Sequence, residues 1–209
     1  QATNDQAQKL AFQRLLDWVH EGIDAAGWRL EHPRLHETMD FRIGTSGRSL
    51  FSRQDFDSGE TLALLPISRL IFGRDFAGVW KDAPPNVQMA AFIAEQRLAG
   101  ERSFWSPWIA ILPHEHSLPK HWESLQLDDE LQGSAFPAVV KQFREAVANE
   151  WATWLAGKSN ISWEDYEWAH DVMSTRSLFW NSSWVEGYEG RGALFPLLDL
   201  VQHGHPANV

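Results

Sequence analysis

The hydrophobic positions along the chain predict four long helices. In each one, apolar side chains recur every three or four residues, as on the buried face of an amphipathic helix. The predicted helices cover residues 6–28, 87–98, 137–155 and 162–179. A glycine lies at or just beyond the end of the first three, where helices commonly stop. The fourth begins with Ser162 followed three residues later by Asp165, which resembles a capping box.

Shorter apolar runs, separated by turn residues, occupy residues 41–72 and indicate β-strands. Strands are predicted at Leu50–Phe51, Thr61–Leu65, Leu70–Phe72 and Leu194–Leu200. The sequence Asp-Ser-Gly-Glu at residues 57–60 is typical of a turn in which Gly59 adopts a positive φ. The pattern as a whole predicts a single α+β unit, in which a small antiparallel β-unit precedes a mostly helical region.

Composition narrows the classes of protein that fit this pattern. Hydrophobic residues make up 44% of the 209 residues and charged residues 22%, which is typical of a globular chain. The sequence shows no apolar run long enough to cross a membrane. A net charge of −10 disfavours binding to the phosphates of nucleic acids and suits a basic protein segment better. The absence of cysteine excludes disulfides, thiolate zinc sites and catalytic thiols.

Histidines cluster in one short segment and raise the question of a metal site. His114, Glu115 and His116 are followed by His121, and Pro113 and Pro119 mark the segment as a loop. The spacing is not that of a zinc site built on one helix. We therefore predict no metal here.

The stretch from Ala193 to Val209 changes character within a few residues. It opens as the apolar run Leu194-Phe195-Pro196-Leu197-Leu198 and then presents Asp199, Gln202, His203 and His205. A short buried segment that delivers polar groups to one place is a common way to build a binding site. The alternative interpretation is a core segment that ends in a surface loop.

Several ordered motifs in the sequence resemble one family. The first is Gly47-Arg48-Ser49-Leu50-Phe51, continued by Gly59-Glu60-Thr61-Leu62 and Pro66. The second runs from Glu95 through Ser103-Phe104-Trp105 and Pro107-Trp108 to Leu112-Pro113. The others are the helical run from Trp168 to Arg176 and the segment from Pro196 to Val209, with a weaker match from Phe12 to Gly22. Together they resemble SET-domain methyltransferases of the Rubisco large-subunit methyltransferase type.

The resemblance implies a fold and a division of the chain. It implies an α+β fold with a SET core of short β-strands, a largely helical inserted region and an N-terminal helix. Residues 1–35 would hold that helix, residues 36–80 the first SET part, residues 81–175 the insert and residues 176–209 an incomplete second SET part. All four would belong to a single SET-like domain.

The resemblance also implies a cofactor, S-adenosylmethionine, and the residues that bind it. These are Gly47, Arg48, Ser49, Leu50, Arg176, Asp199, Gln202 and His203. In the family, the arginine that corresponds to Arg176 lies against the carboxylate of the cofactor. Without the resemblance, the alternative interpretation is that Arg176 is a cation at a helix C-terminus, stabilised by the helix dipole.

Two departures from the family pattern bear on cofactor affinity. Ser49 stands where the family has a glycine that lets the backbone approach the cofactor, and Gln202 stands where it has asparagine. The extra methylene of Gln202 and the side chain of Ser49 must be accommodated in a close-packed site. We therefore expect weak or absent binding of S-adenosylmethionine by the 209-residue chain.

The resemblance implies a protein-lysine or protein-histidine N-methyltransferase that acts on a protein substrate. The catalytic tyrosine of the family follows the Asn-His segment, and neither Tyr166 nor Tyr188 has that position. We therefore expect a fragment that lacks this tyrosine and the C-terminal substrate domain, and is weakly active or inactive alone. The alternative is a non-catalytic, SET-derived structural or binding subunit with a protein partner. In either case we expect a soluble intracellular protein of an organelle such as the plastid stroma, or of the cytoplasm or nucleus.

Overall fold

The computed structural model describes residues 2–27, 35, 37–44, 47–76, 80–178 and 192–201. Helices dominate these ranges. The α-helices are α1 (Ala2–Ala25), α2 (Gly73–Phe76), α3 (Pro85–Ala99), α4 (Ser106–Ile109), α5 (Ser124–Glu130), α6 (Phe136–Trp154) and α7 (Trp163–Arg176). Single turns of 3₁₀ helix lie at Ile67–Arg69, Gly100–Arg102, Pro119–His121 and Leu198–Leu200. Within the described ranges, no helix combines the length and hydropathy that crossing a bilayer requires.

The four predicted helices are confirmed as α1, α3, α6 and α7, with boundaries shifted by a few residues. The predicted cap is confirmed too, because the backbone N–H of Asp165 donates to Oγ of Ser162 at 3.1 Å. Helix α7 ends at Arg176 rather than at Phe179, since Ser177 and Leu178 leave the helix to form a short strand. The end of α7 thus places Arg176 at a junction between helix and strand.

The β-structure consists of two small antiparallel pairs. Strands β1 (Met39–Gly44) and β2 (Gly47–Ser52) form a hairpin in which Phe41 lies opposite Leu50. Strand β3 (Ser177–Leu178) pairs with β4 (Ala193–Leu194). The predicted small antiparallel unit is therefore confirmed. The predicted turn at residues 57–60 is confirmed too, since Gly59 has a φ of 94° and the backbone N–H of Glu60 donates to the backbone oxygen of Asp57 at 3.1 Å.

Three of the predicted strands are wrong in extent. Thr61–Leu65 pairs only at Ala63, and Leu70–Phe72 only at Ile71, each through an isolated bridge. The apolar side chains of Ala63, Leu64 and Leu65 pack against the core, so burial, and not strand pairing, accounts for the hydrophobic run. Leu194–Leu200 is a strand only at its first residue. Pro196 cannot donate to a ladder and Leu197 adopts a positive φ of 77°, so the chain turns into the 3₁₀ helix Leu198–Leu200.

Helices α3 and α7 pack together at the centre of the core and position the rest. Their contacting faces are buried and include Val87, Ile93, Ala169 and Val172. Helix α1 lies against the β-hairpin, where the rings of Phe12 and Phe41 stack with centroids 4.3 Å apart. The C-terminus of α7 is therefore held on a rigid support, which fixes the residues that follow from it.

Candidate functional site

The C-terminus of α7 meets the last 3₁₀ turn through an arginine and an aspartate. Nη1 of Arg176 donates to the backbone oxygen of Asp199 at 3.0 Å and to its Oδ2 at 3.1 Å. The side chain of Asp199 is 1% exposed and that of Arg176 is 16% exposed. Two residues that are far apart in sequence therefore form a nearly dry, charged contact.

A tryptophan from the helical region completes this contact. Trp108 lies on α4, is fully buried, and donates from its Nε1 to the same Oδ2 of Asp199 at 3.1 Å. Hydrogen bonds to an ionised carboxylate are stronger than those between neutral groups. Trp108, Arg176 and Asp199 thus form a cluster that joins three separate parts of the chain, and we call it the Asp199 cluster.

The backbone leading into Asp199 is strained. Leu197 has φ 77° and ψ −49°, a region close to the rare γ-turn conformation. Such a conformation costs on the order of 1–3 kcal/mol and persists only where the surrounding structure holds it. The buried side chain of Leu197 supplies part of that hold. The conformation of Leu197 turns the chain directly after Pro196 and leads it to Asp199, which contacts Arg176.

Arg48 contributes a second guanidinium from strand β2. Its Nη1 donates to Oε1 of Gln8 at 3.0 Å and to the backbone oxygen of Leu112 at 3.1 Å. Burial lowers the pKa of Arg48, the positive charge of Arg176 lowers it further, and the negative charge of Asp199 opposes both. Arg48 therefore lies within electrostatic reach of the Asp199 cluster without bonding to it.

The charges of this region do not balance. Burial raises the pKa of Asp199, while the charge of Arg176 and the hydrogen bonds from Trp108 and Arg176 lower it, and the net direction is upward. Among the described residues, Arg176 binds this carboxylate and Arg48 lies within electrostatic reach of it. The site consequently has an excess of positive charge that suits an anionic group of a ligand.

Two buried polar atoms in the cluster have no hydrogen-bond partner among the described residues. They are Nε of Arg176, a donor, and Oδ1 of Asp199, an acceptor. Buried polar groups are almost always satisfied in native proteins by protein, water or ligand. A donor and an acceptor in one cluster match the carboxylate and ammonium of an amino acid.

The other residues predicted for the site are placed as follows. Ser49 is 2% exposed on β2 and lies opposite Arg42, and Leu50 is buried in the core. Gly47 begins β2. Gln202 and His203 lie outside the described residues. The structure thus brings together Arg176 and Asp199, with Arg48 nearby, and sets Leu50 into the core.

Sequence reasoning missed the part played by Trp108. The signal was present, because Trp108 stands where the family pattern has tyrosine within an otherwise matching stretch. Both side chains can carry a hydrogen-bond donor at the tip of a large ring. A polar aromatic at a position that must be buried is a reason to look for an acceptor, here Asp199.

The histidine-rich loop lies beside α7. Nε2 of His121 lies 2.6 Å from Oδ2 of Asp171, and Nδ1 of His116 lies 3.8 Å from the same oxygen. Across the part of the chain that the structure describes, no group of three or more His, Asp or Glu residues has the arrangement of a metal site. His116 and His121 of this loop lie beside the carboxylate of Asp171.

Sequence comparisons find similarity to two kinds of characterised protein. The chain is 26% identical over 182 residues to human SET domain-containing protein 4, a match that covers 76% of this chain and 41% of that protein. It is 28% identical over 130 residues to the actin-histidine N-methyltransferase of Canis lupus familiaris, covering 56% of this chain and 21% of that protein. The chain thus spans less than half the length of these relatives. No protein-family model matches it.

Solved structures give a closer agreement in three dimensions. A structure of Rubisco LSMT bound to AdoMet superposes with a TM-score of 0.71 at 19% identity, covering 94% of this chain and 45% of that one. The SET domain of LSMT bound to lysine and AdoHcy gives a TM-score of 0.73 at 20% identity, with 95% and 46% covered. At such identities the likeness concerns the fold alone. The expected fold class is therefore confirmed: this chain has the fold of a SET-domain methyltransferase.

Proposed function

We propose that this chain is part of an S-adenosylmethionine-dependent protein N-methyltransferase that acts on lysine or histidine. The observation that carries the proposal is the Asp199 cluster. Within a SET fold it joins Arg176 and Asp199, two of the residues at which the sequence predicts cofactor binding. The cluster also leaves one buried donor and one buried acceptor to be satisfied by a ligand.

The residues of the cluster fit the methionine end of the cofactor. Nε of Arg176 is available to donate to its carboxylate, and Oδ1 of Asp199 is available to accept from its ammonium group. Arg48 adds positive charge, which favours the carboxylate. When bound, S-adenosylmethionine supplies the activated methyl group. The chain's own part here is to bind and orient one end of the molecule and to exclude water from the charged contact.

The predicted contacts from the rest of the site remain part of this proposal. Strand β2, at Gly47–Leu50, would line the cofactor through its backbone, and Gln202 and His203 would contact it from the segment after Asp199.

The substrate class follows from the relatives and from charge. One relative is an actin-histidine N-methyltransferase, and one similar structure binds lysine. A net charge of −10 favours a substrate segment that carries basic residues. We therefore propose a protein side-chain nitrogen, of lysine or histidine, as the methyl acceptor.

The second candidate is a non-catalytic SET-derived subunit. One observation favours it: Nη1 of Arg176 is already occupied by Asp199, so only part of the guanidinium is left for a cofactor. The buried Ser49 side chain, in the place of a family glycine, points the same way. On this alternative the Asp199 cluster serves only to hold the fold together.

A titration with S-adenosylmethionine, monitored by heteronuclear NMR of tryptophan-labelled protein, distinguishes the two candidates. The indole N–H of Trp108 donates to Asp199, so its resonance reports on the cluster and detects weak binding. We expect a saturable shift of this resonance in the unmodified chain. Arg176→Lys should weaken binding by about tenfold or more, because lysine cannot reproduce the planar guanidinium.

Arg42→Lys is the matched control, since Arg42 is an exposed arginine on strand β1, paired with Asp40. It should leave binding unchanged. If S-adenosylmethionine shifts the Trp108 resonance neither in the unmodified chain nor in the Ser49→Gly, Gln202→Asn variant, the methyltransferase proposal fails and the non-catalytic candidate stands.

A further inference from the structure

A buried ion pair lies next to the candidate site and has no part in the proposed cofactor contacts. Nζ of Lys120 is 2.5 Å from Oδ1 of Asp171, and the two side chains are 4% and 3% exposed. His121 lies against the other oxygen, with Nε2 to Oδ2 at 2.6 Å. Asp171 is on α7, one turn before the end of the helix that carries Arg176.

One segment, residues 108–122, contacts all the elements that form the candidate site. At its start Trp108 donates to Asp199, and the backbone oxygen of Leu112 accepts from Arg48. Further along, the backbone oxygen of Pro113 accepts from Nε1 of Trp168 on α7 at 2.8 Å. Near its end Lys120 reaches Asp171. We call residues 108–122 the bridging segment.

The far end of the bridging segment is fixed by α6. Nε of Arg144 donates to the backbone oxygen of Lys120 at 2.5 Å, and its Nη2 donates to that of Pro119 at 3.2 Å and to that of Trp122. The backbone that carries Lys120 is therefore held independently of Asp171. Because its base is fixed, the Lys120 side chain can define where Asp171, and with it α7, must lie.

We propose that Lys120 and Asp171 are positioning residues that set the end of α7, and thus Arg176, against the Asp199 cluster. The ion pair acts as a register lock between α7 and the bridging segment, whose other end carries Trp108. The inference concerns Arg176 as a cofactor-binding residue, so in that respect it rests on the proposed function. Its structural part, coupling between Lys120 and the Trp108–Asp199 contact, does not.

An apolar pair at this position would hold α7 to the bridging segment at least as well. Buried ion pairs seldom add net stability over well-packed apolar groups, but they specify one register because a shifted carboxylate would be left unpaired. Here the specified register concerns a helix whose last residue must meet Asp199. That requirement gives the ion pair a role that general packing by α3 does not supply.

The carboxylate of Asp171 has several charged or titratable neighbours. They are His116, Lys120 and His121 from the bridging segment and His170 from α7. Around these groups lie Glu167 beside His121, Glu150 beside His170, Arg176 within electrostatic reach of His116, and Arg144 at the backbone of Lys120. Burial lowers the pKa of His116, Asp171 raises it, and Lys120 is among the charges that lower it. Removal of Lys120 therefore makes protonation of His116 easier.

This arrangement predicts that the effect of removing Lys120 depends on pH. In Lys120→Met the carboxylate of Asp171 is left buried without its cation at neutral pH. A proton on His116, whose Nδ1 lies 3.8 Å from Oδ2 of Asp171, can replace the missing charge. The defect should then be repaired as the pH is lowered below neutrality. A defect caused by lost packing alone would not be repaired by a proton.

The experiment compares Lys120→Met with Lys141→Met, which removes an exposed lysine paired with Asp128 at 2.9 Å. Two readouts are followed at neutral pH: the indole resonance of Trp108, and the affinity for S-adenosylmethionine by NMR titration. We expect Lys120→Met to displace the resonance and to weaken binding by about tenfold, with most of the loss recovered as the pH is lowered below neutrality. Lys141→Met should change neither readout.

A double variant keeps the test informative if Lys120→Met folds poorly. Lys120→Met with Asp171→Asn has no buried carboxylate to neutralise, so it should fold but show no recovery at low pH. Unchanged readouts in Lys120→Met, or a loss without pH-dependent recovery, would overturn the positioning proposal. If the unmodified chain does not bind S-adenosylmethionine, the proposed function fails, and the Trp108 resonance alone decides whether Lys120 is coupled to the cluster.

Discussion

Arg176 holds Asp199 through a single nitrogen, since Nη1 lies 3.0 Å from its backbone oxygen and 3.1 Å from Oδ2. One guanidinium edge thus fixes both the main chain and the side chain of the last 3₁₀ turn. The remaining nitrogens of Arg176 are not engaged with Asp199. Arg176 thus supports the fold through Nη1 and leaves Nε without a hydrogen-bond partner among the described residues. A change of Arg176 should therefore affect both stability and ligand binding.

The first prediction concerns Trp108→Phe. The variant removes the indole N–H that donates to Oδ2 of Asp199 and leaves that oxygen to Arg176 alone. We expect the free energy of unfolding to fall by about 1–3 kcal/mol, as for other hydrogen bonds to charged groups. Because the Trp108 hydrogen bond lowers the pKa of Asp199, that pKa should rise further. Urea denaturation and NMR titration of the carboxyl measure the two effects.

Trp151→Phe is the matched control for this prediction. Nε1 of Trp151 donates to the backbone oxygen of Ile161 at 3.2 Å, away from the candidate site. Its loss should reduce stability without weakening S-adenosylmethionine binding, whereas Trp108→Phe should reduce both. Equal binding by the two variants would mean that Trp108 does not shape the cofactor site.

The second prediction is a dependence of stability on pH that arises from His170. Burial, followed by the charge of Lys120, lowers the pKa of His170 from 6.5 to about 4, although Asp171 opposes the shift. Between these values the unfolded chain binds more protons than the folded one. The stability contribution is therefore complete above 6.5 and is lost as the pH falls towards 4. The loss amounts to about 3 kcal/mol.

His170→Asn tests this origin, because asparagine does not titrate. Urea unfolding across the same pH range should show a clearly shallower slope for the variant. The slope should not vanish, since burial also lowers the pKa of His116. A variant with the same pH slope as the unmodified chain would assign the effect to other groups.

The third prediction reverses the usual sign of a glycine substitution. Replacing a glycine within a helix by alanine normally stabilises by about 1 kcal/mol. At Gly22 in α1, however, a Cβ would lie 2.8 Å from Nε of Arg69 and 2.9 Å from Cγ of Pro66. Arg69 cannot easily move, because it donates to the backbone oxygen of Trp18 and lies over the ring of Phe104. Gly22→Ala should therefore destabilise by about 1–3 kcal/mol.

A double-mutant cycle with Arg69→Ala checks the cause. Once the Arg69 side chain is shortened, alanine at position 22 should cost clearly less, which gives a measurable coupling energy. Strictly additive effects on the free energy of unfolding would show that the Arg69 contact is not the reason.

The helices were predictable from the sequence because their signals are local. The apolar spacing within 137–155 and the Ser162 cap act over a few residues, and both appear in the structure as predicted. The two-residue strands β3 and β4 were not predictable. Their pairing depends on partners distant in sequence, and Thr61–Leu65 shows that an apolar run can pack on the core while it pairs at only one residue.

The site was only partly predictable, for a similar reason. The resemblance indicated Arg176 and Asp199, but no local pattern states that Trp108 donates to Asp199. The strained turn at Leu197 was also hidden, because a branched apolar residue is a poor candidate for positive φ. Such a conformation is imposed by the surrounding fold and carries no signature in the neighbouring residues.

The fourth prediction concerns the two departures from the family pattern. Ser49→Gly combined with Gln202→Asn should strengthen S-adenosylmethionine binding by roughly one to three orders of magnitude, since the extra methylene of Gln202 alone costs about 1–3 kcal/mol and the side chain of Ser49 adds to that crowding. Ser49 is buried on β2, where a smaller residue leaves room for a ligand. Calorimetric titration of both chains measures the difference. Tight micromolar binding by the unmodified chain would contradict the predicted crowding.

The bridge between Ile71 and Leu194 has a consequence for the order in which the protein folds. The two residues exchange backbone hydrogen bonds at 3.1 and 2.9 Å although they are more than a hundred positions apart in sequence. Closing so long a loop costs entropy before any contact repays it, and contacts of high sequence separation form slowly. Helices α3, α6 and α7 can form early from local contacts. Arg176 meets Asp199 across only 23 positions, but the contact between Asp199 and Trp108 spans 91, so ligand-binding competence should be among the last properties to return on refolding.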